Sequence, residues 1–248
     1  MTEAELPDLW KVIEAACDEV IGLGERNGLP FIAVQSDLGD PEPMRDQHGR
    51  AYGETRFRWI ESRDGYWLNR RLALESPLLN AARLIAEPFG YCEERLVFWR
   101  PTRALARVEG VKDIAGSGVT SAIVAPIHLP AGAVGAVFWA SETALDVAEV
   151  LRRDGFAMQM AALRLIAAHA EAQLLAPADT PRLTRREVQC LRWASKGKTD
   201  AEIGIILDMS ASTVRFHLRN VAVKFGTSGR IQTLCRAVGL GFIGARAR

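Results

Sequence analysis

The sequence predicts two domains of different class. Residues 1–175 read as an α/β domain, an α-β-α sandwich on an antiparallel sheet, and residues 183–248 as an all-α tetrahelical domain. Three observations carry this. In the first part, apolar runs of strand length alternate with amphipathic helical stretches, and such elements bury their apolar sides by layering helices on a sheet. The last part holds four short helical patterns. Between them, Ala176-Pro177-Ala178-Asp179-Thr180-Pro181 cannot continue a helix and reads as a linker, taken as residues 176–182.

Ala4–Leu23 is predicted helical, with Leu6, Leu9, Val12, Ile13, Ala16, Val20 and Leu23 at spacings of three or four, and Gly24, Gly28 and Pro30 break it. Phe31–Val34 is short, apolar and partly β-branched, a strand. Gly39–Gly53 is rich in Gly, Pro, Asp and Arg, a loop. Thr55–Ile60 alternates Phe57 with Trp59 and reads as a second strand, and Asp64–Leu74 as a helix. Ser76-Pro77 places Ser at an N-cap and Pro at the first helical position of a helix through Ile85, which Pro88 ends. Leu96–Trp99 is a strand. Ala122–Ile127 and Val134–Ala140 form a hairpin across Leu129-Pro130-Ala131-Gly132. Ala144–Leu175 is a long helix, so apolar in its second half that more than one face must be covered, by the sheet or by another subunit.

In the last part, Thr184 and Glu187 make a capping box for the first helix and Gly197 stops it. Thr199 and Glu202 repeat the pattern for the second. Asp208-Met209-Ser210 is a tight turn, and Ser210 caps a third helix, Ala211–Lys224, which Gly226 ends. A fourth runs from Arg230 to Val238. The second and third helices are a helix-turn-helix, whose second member fits the major groove of DNA. The exposed face of that member is expected to carry Ser212, Thr213, Arg215, His217, Arg219, Asn220 and Lys224, donors and cations without a carboxylate. Arg215 and Asn220 have the chemistry to read purine edges, Lys224 to neutralise a phosphate. Lys198, Thr199 and Arg230, at the starts of the second and fourth helices, complete the candidate DNA-binding set.

Charge agrees with this division. The 248 residues carry a net formal charge of only +1. From Asp179 onward, however, 13 Lys/Arg stand against 5 Asp/Glu, a charge of +8, and the first 178 residues sum to −7. An acidic body repels phosphates, so its task is sensing or pairing. Catalytic patterns are missing. There is no GxGxxG or GxxxxGK[ST] phosphate loop, no GxSxG elbow and no CxxC pair, and His48, His128, His169 and His217 are scattered. Neither an enzyme nor a metal or cofactor site is expected. Met1–Leu9 has three acids and no basic residue, unlike a secretory signal, and no apolar run approaches a membrane span of about 20 residues. The expected location is the cytoplasm, with cysteines reduced.

The stretch Leu183–Ile203, continuing through Ile206-Leu207, Met209-Ser210, Thr213-Val214, His217-Leu218, Asn220-Val221, Lys224 and Gln232, closely resembles the LuxR-type DNA-binding domain. The resemblance implies a tetrahelical helix-turn-helix that binds a DNA operator as a dimer. Glu187, Leu191 and Gly197 match the family's most characteristic positions and read as a cap, a core residue and a helix stop. Phe225 stands where Leu is usual, and Gly229 where a polar residue is common. No receiver pattern of acids and lysine precedes it. The first domain is instead similar to the acyl-homoserine-lactone (autoinducer) binding branch, whose signature is an aromatic helix, then Asp-Pro, then a helix ending in Pro-Phe-x-Trp. Here the matching residues are Tyr66-Trp67, Ser76-Pro77-Leu78-Leu79 and Pro88-Phe89-Gly90-Tyr91. Ser76 replaces the aspartate that accepts the ligand amide, Tyr91 the tryptophan that donates to the lactone, and Trp67 falls on a family tyrosine.

The resemblance therefore implies a dimeric, quorum-sensing-type transcriptional regulator. Its candidate ligand residues are Trp59, Trp67, Ser76, Phe89 and Tyr91. The departures point to weak or absent binding of acyl-homoserine lactones and to another small molecule. The alternative is a constitutive regulator whose first domain only dimerises. Expected partners are a double-stranded DNA operator, a second copy of the chain, a small molecule and, as a candidate, RNA polymerase.

Overall fold

In the computed structural model, residues 8–40, 42–60, 76–100, 108, 118–173 and 181–244 are described. The chain forms two compact units that part between Leu175 and Ala176.

The first unit is built on a five-stranded antiparallel sheet in the order β1-β5-β4-β2-β3, comprising β1 (Phe31–Gln35), β2 (Phe89–Cys92), β3 (Arg95–Phe98), β4 (Ser121–His128) and β5 (Val134–Ser141). Its helices are α1 (Leu9–Arg26), the short α2 (Tyr52–Thr55), α3 (Pro77–Leu84) and α4 (Val147–Ala172). Successive strand residues face opposite ways, so each strand feeds two cores. On one face Ile32, Ile123, Val137 and Trp139 pack against Ile13, Val20, Met158, Leu165 and Ile166 of α1 and α4. Fully buried Trp139 donates its indole N–H to the Val20 carbonyl at 2.9 Å, so its one polar group is satisfied. On the other face Ala33, Phe89, Tyr91, Ala122, Val124, Phe138 and Ala140 meet Leu78, Leu79, Ala81 and Ala82 of α3. The sandwich on an antiparallel sheet is thus present.

Several elements differ in detail from the expectation. α1 runs through Gly24, where a side chain would lie 2.7 Å from the Leu29 carbonyl and 2.9 Å from Trp139; the glycine is there to admit this close approach, not to end the helix. The turn comes at Gly28, at φ +69°. Thr55–Ile60 is not a strand. Thr55 ends α2, and the segment meets edge strand β1 through a bond from the Ile32 N–H to the Arg58 carbonyl (2.6 Å), too little for a ladder. Phe89 and Tyr91 lie on β2 rather than at a helix end, since α3 stops at Leu84. The helix expected at Asp64–Leu74 lies outside the described residues.

The second unit contains α5 (Arg185–Ala194), α6 (Asp200–Leu207), α7 (Ala211–Phe225) and α8 (Arg230–Gly239). Both capping boxes form, Thr184 with Glu187 and Thr199 with Glu202. Asp208, at φ +53°, turns the chain between α6 and α7, and Ser210 caps α7. Val214, Val221 and Phe225 of α7 are buried with Leu191, Cys190 and Ile203. That core fixes which side of α7 points outward.

Candidate functional site

The second unit offers the first candidate site, on α7. With 3.6 residues per turn, the side opposite Val214 and Val221 is formed by Ser212, Phe216, Arg219 and Val223, flanked by Thr213 and Asn220. Ser212, Thr213 and Arg219 are exposed; His217 and Asn220 are half-buried. At the helix start, Ser210 Oγ lies 2.7 Å from Ser212 Oγ and 2.8 Å from Thr213 Oγ1 and accepts the Thr213 N–H at 3.1 Å, a hydroxyl cluster at a helix N-terminus that suits an anion.

Beside it, Lys198, Thr199, Arg215 and Arg230 line a shallow depression of about 520 Å³ at the start of α6. Asp200 binds both of its guanidiniums, Arg215 Nε at 3.4 Å and Arg230 in a close ion pair, and Arg230 also donates to the Lys198 carbonyl at 2.7 Å. A carboxylate therefore stands next to the basic face, which the sequence reading had missed. Hydrogen bonds from the Thr199 N–H and hydroxyl and from Lys198 hold the Glu202 carboxyl down at about 2.

Lys224 is placed differently from its expected role on a phosphate. Its ammonium donates to both oxygens of buried Glu187 (2.9 and 2.8 Å) and to the Arg182 carbonyl (3.1 Å). Burial acts to raise the Glu187 carboxyl, but the bonds from Lys224 and Thr184 prevail and hold it below the ordinary range. Phe216, 60% exposed at the outward centre of α7, was also missed. Its sequence signal is the helical spacing from Val214 and Val221, which places an apolar ring among donors and cations.

The second candidate site is the sheet face beneath α3. Residues opposite one another across strands share a face. Here one row runs Leu96, Tyr91, Ala122, Ala140, Phe31 across all five strands, and the next runs Phe98, Phe89, Val124, Phe138, Ala33. Two alanines thus form a low floor between Tyr91 and Phe31. The Phe89 and Phe98 rings stack at 5.7 Å. Trp59 packs at the edge of this cluster, and burial pushes the Tyr91 hydroxyl up. Ser76 is buried at the N-cap of α3, but its hydroxyl makes no capping bond. Trp59, Phe89 and Tyr91 are therefore gathered on one apolar core, while Trp67 lies outside the described residues.

Among the described residues no group of three His, Cys, Asp or Glu is placed to hold a metal, and no helix is long and apolar enough to cross a membrane.

Comparison with known proteins bears on both units. Residues 181–237 match the family described as bacterial regulatory proteins, luxR family. The chain is 33% identical over 132 residues to the HTH-type transcriptional regulator y4qH of Sinorhizobium fredii, a match covering 51% of this chain and 38% of that protein. It is 29% identical over 199 residues to the transcriptional activator protein AhyR of Aeromonas hydrophila, covering 75% of this chain and 70% of the relative. Both relatives are named as transcriptional regulators. Among solved structures, Escherichia coli SdiA superposes with a TM-score of 0.51 at 19% identity, covering 93% of this chain and 91% of that one, which establishes a shared fold.

Proposed function

We propose, from the match of residues 181–237 to the bacterial regulatory proteins of the luxR family, that the chain is a dimeric DNA-binding transcriptional regulator whose N-terminal domain holds a small molecule. The observation that carries this is the outward side of α7, with Ser212, Thr213, Arg219 and Asn220, flanked by Arg215 and Arg230 on a strongly basic domain. Helices of this kind enter the major groove, with hydroxyls and cations on phosphates and side chains at base edges.

A homodimer is supported by α4. Phe156 (71% exposed) and Leu163 (38%) lie seven residues apart, with half-buried Met160 and Ala167 on the same side, an apolar stripe bordered by the exposed Arg152, Arg153 and Arg164. A two-fold dimer would present two recognition helices to a roughly palindromic operator. RNA polymerase is then the candidate downstream partner. The ligand would lie on the alanine floor between Tyr91 and Phe31, under α3. Ser76 and Tyr91 offer neutral hydroxyls where the resembling receptors carry Asp and Trp. Charge-assisted bonds are about twice as strong as neutral ones, so acyl-homoserine lactones are poor candidates and a different small amphiphile is favoured.

One observation favours the constitutive alternative: the Phe89–Phe98 stack and the α3 leucines fill much of that face with the chain's own side chains. Thermal denaturation with a panel of acyl lactones and other small amphiphiles separates the readings, because occupancy at 100 times Kd adds about 2.7 kcal/mol. A shift with a non-lactone supports the ligand reading. A large shift with a lactone overturns the selectivity argued from Ser76. No shift with any compound, together with unaltered DNA affinity, leaves the constitutive reading. Failure to select any duplex from a random-sequence pool overturns the DNA-binding function itself.

A further inference from the structure

We propose that Phe216 is a specificity-determining residue that reads thymine through its C5-methyl group; this rests on the DNA-binding reading of α7. Phe216 stands at the middle of the outward side of the helix, opposite fully buried Val214 and Val221. Ser212 and Thr213 lie one turn before it, and Arg219 and Asn220 one turn after. The residue is 60% exposed, and its ring meets the His217 ring edge-on at 5.8 Å. A helix laid in the groove by the flanking donors and cations would carry this ring straight to the base edges.

The chemistry then restricts what the ring can recognise. On the major-groove edge, guanine shows two acceptors, cytosine a donor, adenine an acceptor and a donor, and thymine an acceptor and a methyl. A phenyl ring satisfies none of the hydrogen-bonding groups, and covering one would strand it without water. The methyl is the one apolar feature of that edge. A protein partner for Phe216 is disfavoured by its surroundings, since Ser212, Arg219 and Asn220 share the same side and Arg215 lies beside it, a setting complementary to phosphates. Val223, also apolar and 73% exposed, lies seven residues further on, about 10 Å along the axis and away from the N-terminal part of the helix that reaches base edges. It serves as an internal control.

Replacing thymine by uracil removes only the methyl and leaves pairing intact. The full chain is used to select duplexes from a random-sequence pool. Affinity is then measured by anisotropy on a selected duplex and on versions with single thymines replaced by uracil, for the wild type, Phe216→Ala and Val223→Ala. The wild type is expected to lose about fourfold at one thymine per half-site, the size of one methyl-group burial. Phe216→Ala should bind the thymine and uracil duplexes equally and keep the wild-type salt slope, because no charge is removed. Val223→Ala should behave as wild type. Since Phe216 is exposed, circular dichroism of its variant is expected to be unchanged. Indifference of the wild type to every uracil substitution, with selective binding retained, overturns the proposal and leaves the DNA-binding function standing. So does persistence of the uracil effect in Phe216→Ala. Failure to select any duplex removes the proposal together with the function it rests on.

Discussion

Lys224, near the end of α7, reaches back to Glu187 in the first turn of α5 and places its ammonium 2.8 Å from a carboxylate whose side chain is 3% exposed. The pair closes the four-helix domain by tying α5 to α7. Removing the lysine leaves a buried carboxylate with only its Thr184 partner. Breaking a buried pair costs about 3–5 kcal/mol, and because Lys224 is itself one-third exposed and screened, about 2 kcal/mol is expected. Lys224→Met should lower the melting temperature of the C-terminal domain by roughly 10 °C. Calorimetry of the full chain, with amide exchange over residues 181–244 to assign the transition, measures it. Adding Glu187→Gln to Lys224→Met should recover part of the loss. A loss of DNA binding in Lys224→Met that appears only near its melting transition identifies the lysine as a strut rather than a phosphate contact.

The same pair predicts a pH dependence. The Glu187 carboxyl is held below its ordinary value of 4.5 by its bonds to Lys224 and Thr184. Its stabilisation is therefore complete above that value and is lost as pH falls through the lower folded value. Domain stability should decline from about pH 5 downward, and the decline should be shallower in Glu187→Gln. Equal acid limbs for the two proteins would show that other carboxylates govern it.

What could be read from the sequence alone was local. Thr184 with Glu187, Thr199 with Glu202, and Ser210 before α7 are cap signals confined to four successive residues, and each forms where expected. What escaped depends on distant partners. Gly24 is a close-approach glycine under Trp139 and Leu29 rather than a helix stop, and Lys224 is turned inward by a residue 37 positions away. The alternation of Phe57 and Trp59 resembles a strand, but pairing is decided by the neighbour, and β1 supplies Ile32 alone. Trp59, Phe89 and Tyr91 stand out in the sequence as aromatics and share one core, whereas the alanine floor beside them emerged only from the register of β4 against β2 and β5.

Asp200 restrains Arg215 and Arg230, of which Arg215 remains 74% exposed. In the DNA-binding reading, the carboxylate competes with phosphate for both guanidiniums. Asp200→Asn should tighten non-specific duplex binding at low salt and steepen the plot of log K against log salt. Arg215→Ala should flatten that slope by about 0.9, one phosphate contact. A salt series on a random-sequence duplex checks both. Weaker binding by Asp200→Asn at every salt concentration would mean that the aspartate positions the arginines rather than competing for them.

The β2–β3 hairpin turns on Glu93 and Glu94, both at positive φ (50° and 60°) and exposed. Two-residue hairpin turns of this kind favour Asn-Gly, and left-handed backbone costs an ordinary residue about 1–2 kcal/mol. The absence of a turn signal also hid β2 from sequence reading. Replacing Glu93-Glu94 by Asn-Gly should stabilise the N-terminal domain by about 1 kcal/mol, a rise of about 2–4 °C in its melting temperature.

Two helical glycines should respond in opposite ways to the same substitution. Gly22, exposed on α1, has no atom within 4 Å of an added Cβ, so Gly22→Ala gains helix propensity, about 1 kcal/mol. At Gly204 on α6, the Cβ would lie 2.6 Å from the Met209 carbonyl oxygen, in the turn that leads into α7. That atom is backbone, and Met209 already donates its N–H to the Gly204 carbonyl at 2.9 Å, so the turn has no slack. Overpacking of this kind costs about 1–3 kcal/mol and exceeds the propensity gain. Gly204→Ala should therefore lower the melting temperature of the C-terminal domain. It should also weaken DNA binding more than the fraction unfolded accounts for, because the start of α7 is displaced. Calorimetry beside anisotropy at a temperature well below the transition separates the two effects, and normal affinity there would show that the turn opens without moving the recognition helix.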